Sequence, residues 1–203
     1  MASIGTLPDT VKPTAVEITS MHQIFTSVGQ NLSSYKSDRG GHRWKISITY
    51  PPMTRDNYSA LWAFLVSARG QFNYFTYNLE NHAVQGSADT NLTVYENVTA
   101  GTRTLALANL QTGTNAKAGD FIKFGNNYKV YMLTSDLVDE GSNLGTANIE
   151  PALQADVTTG VTVAFSTTTM PFSVSLTDNN VVTEFGTQQL YGTQIELVEN
   201  SNA

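Results

Sequence analysis

The chain has no cysteine among its 203 residues. Disulfides, thiolate metal sites and cysteine nucleophiles are excluded together. Charge is scarce as well: 14% of residues are Asp, Glu, Lys or Arg, against about a quarter in an average globular chain. The 11 Lys and Arg are scattered and outnumbered by 17 Asp and Glu, leaving a net charge of −6. A nucleic-acid binder needs bases to neutralise phosphates, so no specific nucleic-acid recognition is expected. No run approaches the ~18 apolar residues of a spanning helix, and no membrane insertion is expected. The opening MASIGTLPDTVKPTAVEITS has no basic segment followed by an apolar run, so no secretory signal is read there. A protein with this start and an extracellular destination is expected to leave by another route, such as lysis.

Catalytic motifs are missing too. There is no HExxH, GxSxG or GxxxxGK[ST], and Gly40-Gly41 lacks the strand–glycine–helix setting of a dinucleotide site. The histidines His22, His42 and His82 are 20 and 40 residues apart and share no local motif. No metal site and no cofactor are expected. The carboxylates Asp120, Asp136, Asp139, Glu140, Glu150, Glu184 and Glu196 show no spacing that brings a catalytic pair together. SDLVDEGSNLG, Ser135 to Gly145, clusters acids near a glycine, but its spacing is wrong for a calcium loop; a solvated acidic turn is the expectation. The sequons at Asn91 and Asn97 are read as chance in an Asn/Thr-rich chain. The expectation is a protein that is not an enzyme.

What is present is β-rich. Hydrophobic residues make up 40%, with 9 Tyr and 9 Phe among many Ser, Thr, Asn, Gln and Gly. That mix suits strands with one wet face. Met1 to Thr14, with Gly5, Pro8 and Pro13, reads as an arm, Val16 to Phe25 as a first strand, and Gln30 to His42 as a polar loop. Trp44, Ile46, Ile48 and Tyr50 alternate with Lys45, Ser47 and Thr49, the period of a half-buried strand. Pro51-Pro52 is expected to stop it, because proline cannot donate to a ladder.

Thr54 then reads as a helix N-cap, with Asp56 in the first turn. Tyr58, Leu61, Trp62, Leu65 and Val66 form one helical face, and Arg69-Gly70 marks its end. Gln71 to Leu79 reads as a strand covered on both faces. The aromatics of this region could form a sugar-stacking platform, but Trp44, Tyr58 and Trp62 fall at core-facing periods. Arg43, Lys45, Arg55, Asp56 and Arg69 are expected at the surface.

Composition shifts after Glu80. Short strands are expected within Thr104–Leu110, Asp120–Leu133, Thr146–Leu153 and Gly160–Phe165, with a hairpin turn at Gly125-Asn126-Asn127. Phe172, Val174 and Leu176 alternate again, as do Ile195 and Leu197; these should pair with RWKISITY in an antiparallel sheet. The expected architecture is mainly β. A discontinuous β-sandwich with one packed helix spans residues 1–82 and 170–203, and a small β-barrel-like module, 83–169, is inserted in it.

The run GHRWKISITYPPMTRDNYSALWAFLVSARGQFNYFTYNL resembles tail proteins of tailed bacteriophages, in which a strand ending in YPPMTR or YPPLTR feeds a helix with FL and then RGQF. AGDFIKFGNNYKVYMLT, ANIEPAL and PFSVSLT are similar to the same family, in the same order. The residues that carry the signature are Trp44, Tyr50, Pro51, Pro52, Thr54, Arg55, Trp62, Arg69 and Gly70. The resemblance is to the distal tail, or baseplate, class. It implies a homo-oligomeric ring, often a hexamer, at the end of the tail tube. The ring would join the tube to the baseplate hub and adsorption apparatus. The inserted module would project outward, toward a tail fibre, a neighbouring ring or a host glycan. The implied location is the virion, after synthesis in the host cytoplasm. No family active site is implied.

Overall fold

The computed structural model describes residues 2–80, 91–165, 169–180 and 191–200. The protein is mainly β, with one α-helix among the described residues. The chain divides into two compact units, Met1–Tyr77 with Ser173–Ala203, and Asn78–Phe172.

The first unit is built on a six-stranded sheet. Its strands are β1 (Ser3–Thr6), β2 (Ala15–Val28), β3 (Ser34–Met53), β4 (Tyr74–Glu80), β13 (Thr169–Leu176) and β14 (Tyr191–Glu199), in the order β1-β4-β13-β14-β3-β2. The C-terminal strand lies against the Trp44 strand as its alternation requires. Ile195 pairs with Ile48 and Leu197 with Ile46, and all four are buried. Phe172, Val174 and Leu176 are one strand further out, since β13 pairs with β14.

The helix α1 (Arg55–Ser67) buries Tyr58, Leu61 and Leu65. Burying one such side chain contributes about 2 kcal/mol. Tyr58 stacks on Tyr191 of β14, centroids 4.9 Å apart, and Phe64 meets Phe75 of β4 edge-to-face at 5.2 Å. Helix and sheet are therefore joined by aromatic contacts.

Several sequence expectations change here. The N-terminal residues are not a loose arm: β1 pairs parallel with β4, and Leu7 is buried. Gln30–His42 is not a loop. The chain turns at Gly29–Ser33 and returns as the first part of β3, so β2 and β3 form a long hairpin. Pro51-Pro52 does not stop β3, which runs to Met53. The ladder to β2 ends where Ala15 pairs with Thr49, and the pairing with β14 shifts register between Tyr191 and Thr193, opposite the prolines. An irregularity of this kind removes the demand for a donor. Val66 is exposed, at 51%, and leaves the helix core face. β4 is fully covered on one face, burying Phe75, Tyr77 and Leu79, and partly on the other, where Tyr74, Thr76 and Glu80 are half-buried and Asn78 is exposed.

The second unit is a nearly closed barrel-like sheet. Its strands are β5 (Thr93–Val94), β6 (Thr104–Ala108), β8 (Phe121–Phe124), β9 (Val130–Leu133), β11 (Leu144–Glu150) and β12 (Val163–Ala164), in the order β12-β8-β9-β11-β6-β5. The ends meet through the Thr93–Thr162 bridge, where Val94 N–H donates to the Val161 carbonyl at 2.9 Å. A separate pair, β7 (Thr114–Ala116) and β10 (Leu137–Val138), completes the unit. Every second residue faces inward: Leu105 and Leu107, Ile122 and Phe124, Tyr131 and Leu133, Ala147 and Ile149. The Tyr131 hydroxyl is buried among them and accepts from Asn127 Nδ2 at 2.9 Å and from the Gln154 N–H at 3.2 Å.

Candidate functional site

The nine signature residues do not converge on a pocket. Trp44 and Tyr50 are buried on the core face of β3. Pro51 and Pro52 occupy the register shift at its end. Thr54 is the N-cap residue by position, with extended backbone, but its side chain makes no capping hydrogen bond. Trp62 is half-buried and stacks on Tyr58, with centroids 6.3 Å apart. Arg55 is exposed at the helix start. Arg69 and Gly70 both have positive φ, 55° and 63°, and turn the chain out of the helix. The nine are scaffold residues spread along one strand–helix corner.

The carboxylates do local work. Asp120 Oδ2 accepts from the Lys117 N–H at 2.8 Å, and Asp136 Oδ1 accepts from the Ala118 N–H at 2.9 Å. Asp139 Oδ1 accepts from Gly141 N–H at 3.0 Å, and Glu140 Oε1 from Thr146 N–H at 3.1 Å. Glu150 pairs with Arg103 at 3.1 Å and Glu196 with Lys45 at 2.9 Å. Asp136, Asp139 and Glu140 thus bind nearby backbone N–H groups, Glu140 that of Thr146 in β11. Glu184 and His82 lie outside the described residues. Among the described residues no three His, Asp or Glu side chains gather as metal ligands.

One constellation was not legible in the one-dimensional spacing. His22 on β2 lies directly across from His42 on β3. Their rings are 4.7 Å apart, and Ser20 Oγ sits 3.0 Å from one Nε2 and 2.9 Å from the other. His42 is buried and meets Trp44 edge-to-face. Reading Ser34–His42 as a strand returning on β2 would have exposed the pairing. The histidines sit where the covered part of the hairpin gives way to its exposed part.

Two open grooves lie among the described residues of the first unit. One, of ≈ 240 Å³, runs along Trp62, Leu65, Leu176 and Ile195. The other, of ≈ 390 Å³, is flanked by Arg43, Lys45, Ser175, Thr177 and Glu199. Small-molecule sites are typically enclosed and ~300–1,000 Å³. The first is below that range and the second at its low end.

The most unusual surface is strand, not pocket. Among the described residues, β1 and β2 are the two ends of the open sheet. β1 is four residues long and β2 fourteen. Free edges carry unpaired N–H and C=O groups and invite another chain. The phenol of Tyr50, beneath the sheet, is pushed well above its ordinary value by burial, with Tyr77 and Asp9 adding to the effect. No protein-family model matches the chain, and no curated protein matches it.

Proposed function

We propose that the protein is a structural subunit of a bacteriophage tail, forming a ring at its distal end. In this reading the ring, a hexamer by resemblance, joins the tail tube to the baseplate hub and adsorption apparatus. It carries no chemistry of its own.

The observation that supports it most is the open sheet with two unlike edges. A contact between unlike patches is heterologous, and such contacts close into rings when the rotation permits. Strand addition supplies a ready mode of contact. The resemblance of Trp44–Gly70 to tail proteins supplies the location.

The test is light scattering and negative-stain imaging of the purified chain, with immunogold labelling of virions. A ring of uniform copy number and labelled tail tips are expected. Label confined to the tube shaft, or to the head–tail joint, would move the protein to a tube, terminator or adaptor ring.

A second reading concerns the inserted unit. Tyr95 and Tyr128 are about half exposed, at 54% and 49%, and aromatic faces of this kind suit sugars. A glycan array probed with the full chain tests it. Loss of any signal in Tyr95→Ala and Tyr128→Ala variants is the expected outcome if the unit serves host adsorption.

A further inference from the structure

From His22 to Gly41 the hairpin of β2 and β3 is a two-stranded ribbon. Seven residues of β2 at about 3.4 Å each extend it by ~24 Å. No residue from Ser20 to Gly41 except the half-covered Gly29, Ser33 and Gly41 is shielded from solvent. The register places Ile24, Thr26 and Val28 over Asp38, Lys36 and Ser34 on one face. Phe25 and Ser27 lie beside Ser37 and Tyr35 on the other.

Both faces therefore carry apolar side chains in water. Ile24 and Val28 are 56% and 63% exposed, Phe25 and Tyr35 are 52% and 66%, and Leu32 at the tip is 86%. An isolated two-stranded hairpin is marginally stable in water. Apolar residues on both faces of such a ribbon gain only by being covered.

We propose that the ribbon is the self-association surface, clamped against the acidic body of a second copy of this chain. The proposal rests on the ring reading and names the contact that would build the ring. Charge selects the occupant. The ribbon, His22–Gly41, holds two bases, Lys36 and Arg39, and one acid, Asp38, for +1. The rest of the chain holds nine bases and sixteen acids, for −7. A ribbon from one copy thus meets an opposite field on the next, which steers association. Nucleic acid fits less well. The exposed ribbon itself offers only Lys36 and Arg39, and the Arg39 guanidinium already lies 5.5 Å over the Phe25 ring.

The cysteine-free chain permits a direct test. A Phe25→Cys variant places one thiol on the ribbon, and its reaction with a maleimide dye is followed as protein concentration rises. A second variant, Phe25→Ser with Val28→Ser, removes apolar area from both faces without changing charge. Fluorescence of Trp44 and Trp62 confirms that each variant is folded. The expected results are a thiol shielded on assembly, association weakened about a hundredfold in the double variant, and further weakening with added salt.

A double variant that assembles like wild type, with the thiol still reactive, overturns the proposal and leaves the ring reading intact. So does a thiol shielded only when duplex DNA or purified tail particles are added. A wild type that stays monomeric also ends it. Immunogold then decides the tail reading separately, by whether tail tips still label.

Discussion

Gly70 shows how a residue readable as a helix stop acquires a second constraint. Its φ is +63°, and a Cβ there would stand 2.7 Å from the Asn179 Cα. Backbone strain and overlap with main chain add, so Gly70→Ala should cost about 2–3 kcal/mol. Gly40 has φ +70° but open space around it, and Gly40→Ala should cost only about 1–2 kcal/mol. Urea unfolding followed by tryptophan fluorescence checks both, because Trp44 and Trp62 are the chain's only tryptophans and belong to the first unit. The helix stop was legible locally. The demand for glycine over asparagine was not, because Asn179 is 109 residues away. Tyr50 is a similar case. Its folded phenol resists ionisation because it is buried, while an unfolded one ionises near pH ~10. Its stabilising effect is complete below about pH 10 and is lost as pH rises from there toward the higher folded value. Tyr50→Phe should flatten the loss of stability between about pH 10 and 12, as measured by unfolding at stepped pH.

At the scale of elements, helix α1 followed from its period. Tyr58, Leu61 and Leu65 are buried as the spacing implies. Its cap did not follow, since Thr54 has the right backbone and no side-chain bond. Thr54→Ala should therefore cost less than about 0.5 kcal/mol, against the ~1 kcal/mol of a working cap. Leu61→Ala should cost about 2–5 kcal/mol by opening a cavity. Urea midpoints compared with wild type check both. The β2–β3 ribbon was the largest miss. Strand recognition relies on one face being dry, which stamps a period of two on the sequence. Here both faces are wet, so SSYKSDRGG reads as a loop although Ser34 to Asp38 pairs along β2. The His22–His42 contact was lost for the same reason. Its 20-residue gap becomes one cross-strand step only once the turn at Gly29–Ser33 is placed.

At the scale of the molecule, the two units solve the edge problem differently. The barrel-like sheet nearly closes through Thr93 and Thr162 and leaves little edge. Among the described residues, the six-stranded sheet stays open at β1 and β2. Closure suits a unit that is stable alone, and open edges suit one that is completed by neighbours. Each unit holds its own buried residues. Leu107→Ala, at a fully buried barrel position, should lower the barrel's stability by about 2–5 kcal/mol. In calorimetry its transition should move by more than the one reported by tryptophan fluorescence.

The sequence by itself determined the β class, the helix after Thr54, and the return of Ile195 and Leu197 to the Trp44 strand. It placed a change of unit at residue 82; the compact units divide after Tyr77. These rest on local period and composition, which any stretch of chain carries in itself. Tertiary structure alone decided three things. Asp136 became the acceptor for the Ala118 N–H, 18 residues earlier in the chain. The prolines were absorbed at a register shift opposite Gly192. A polar stretch became an exposed ribbon. In each case the partner group comes from elsewhere in the chain, and its position exists only after folding.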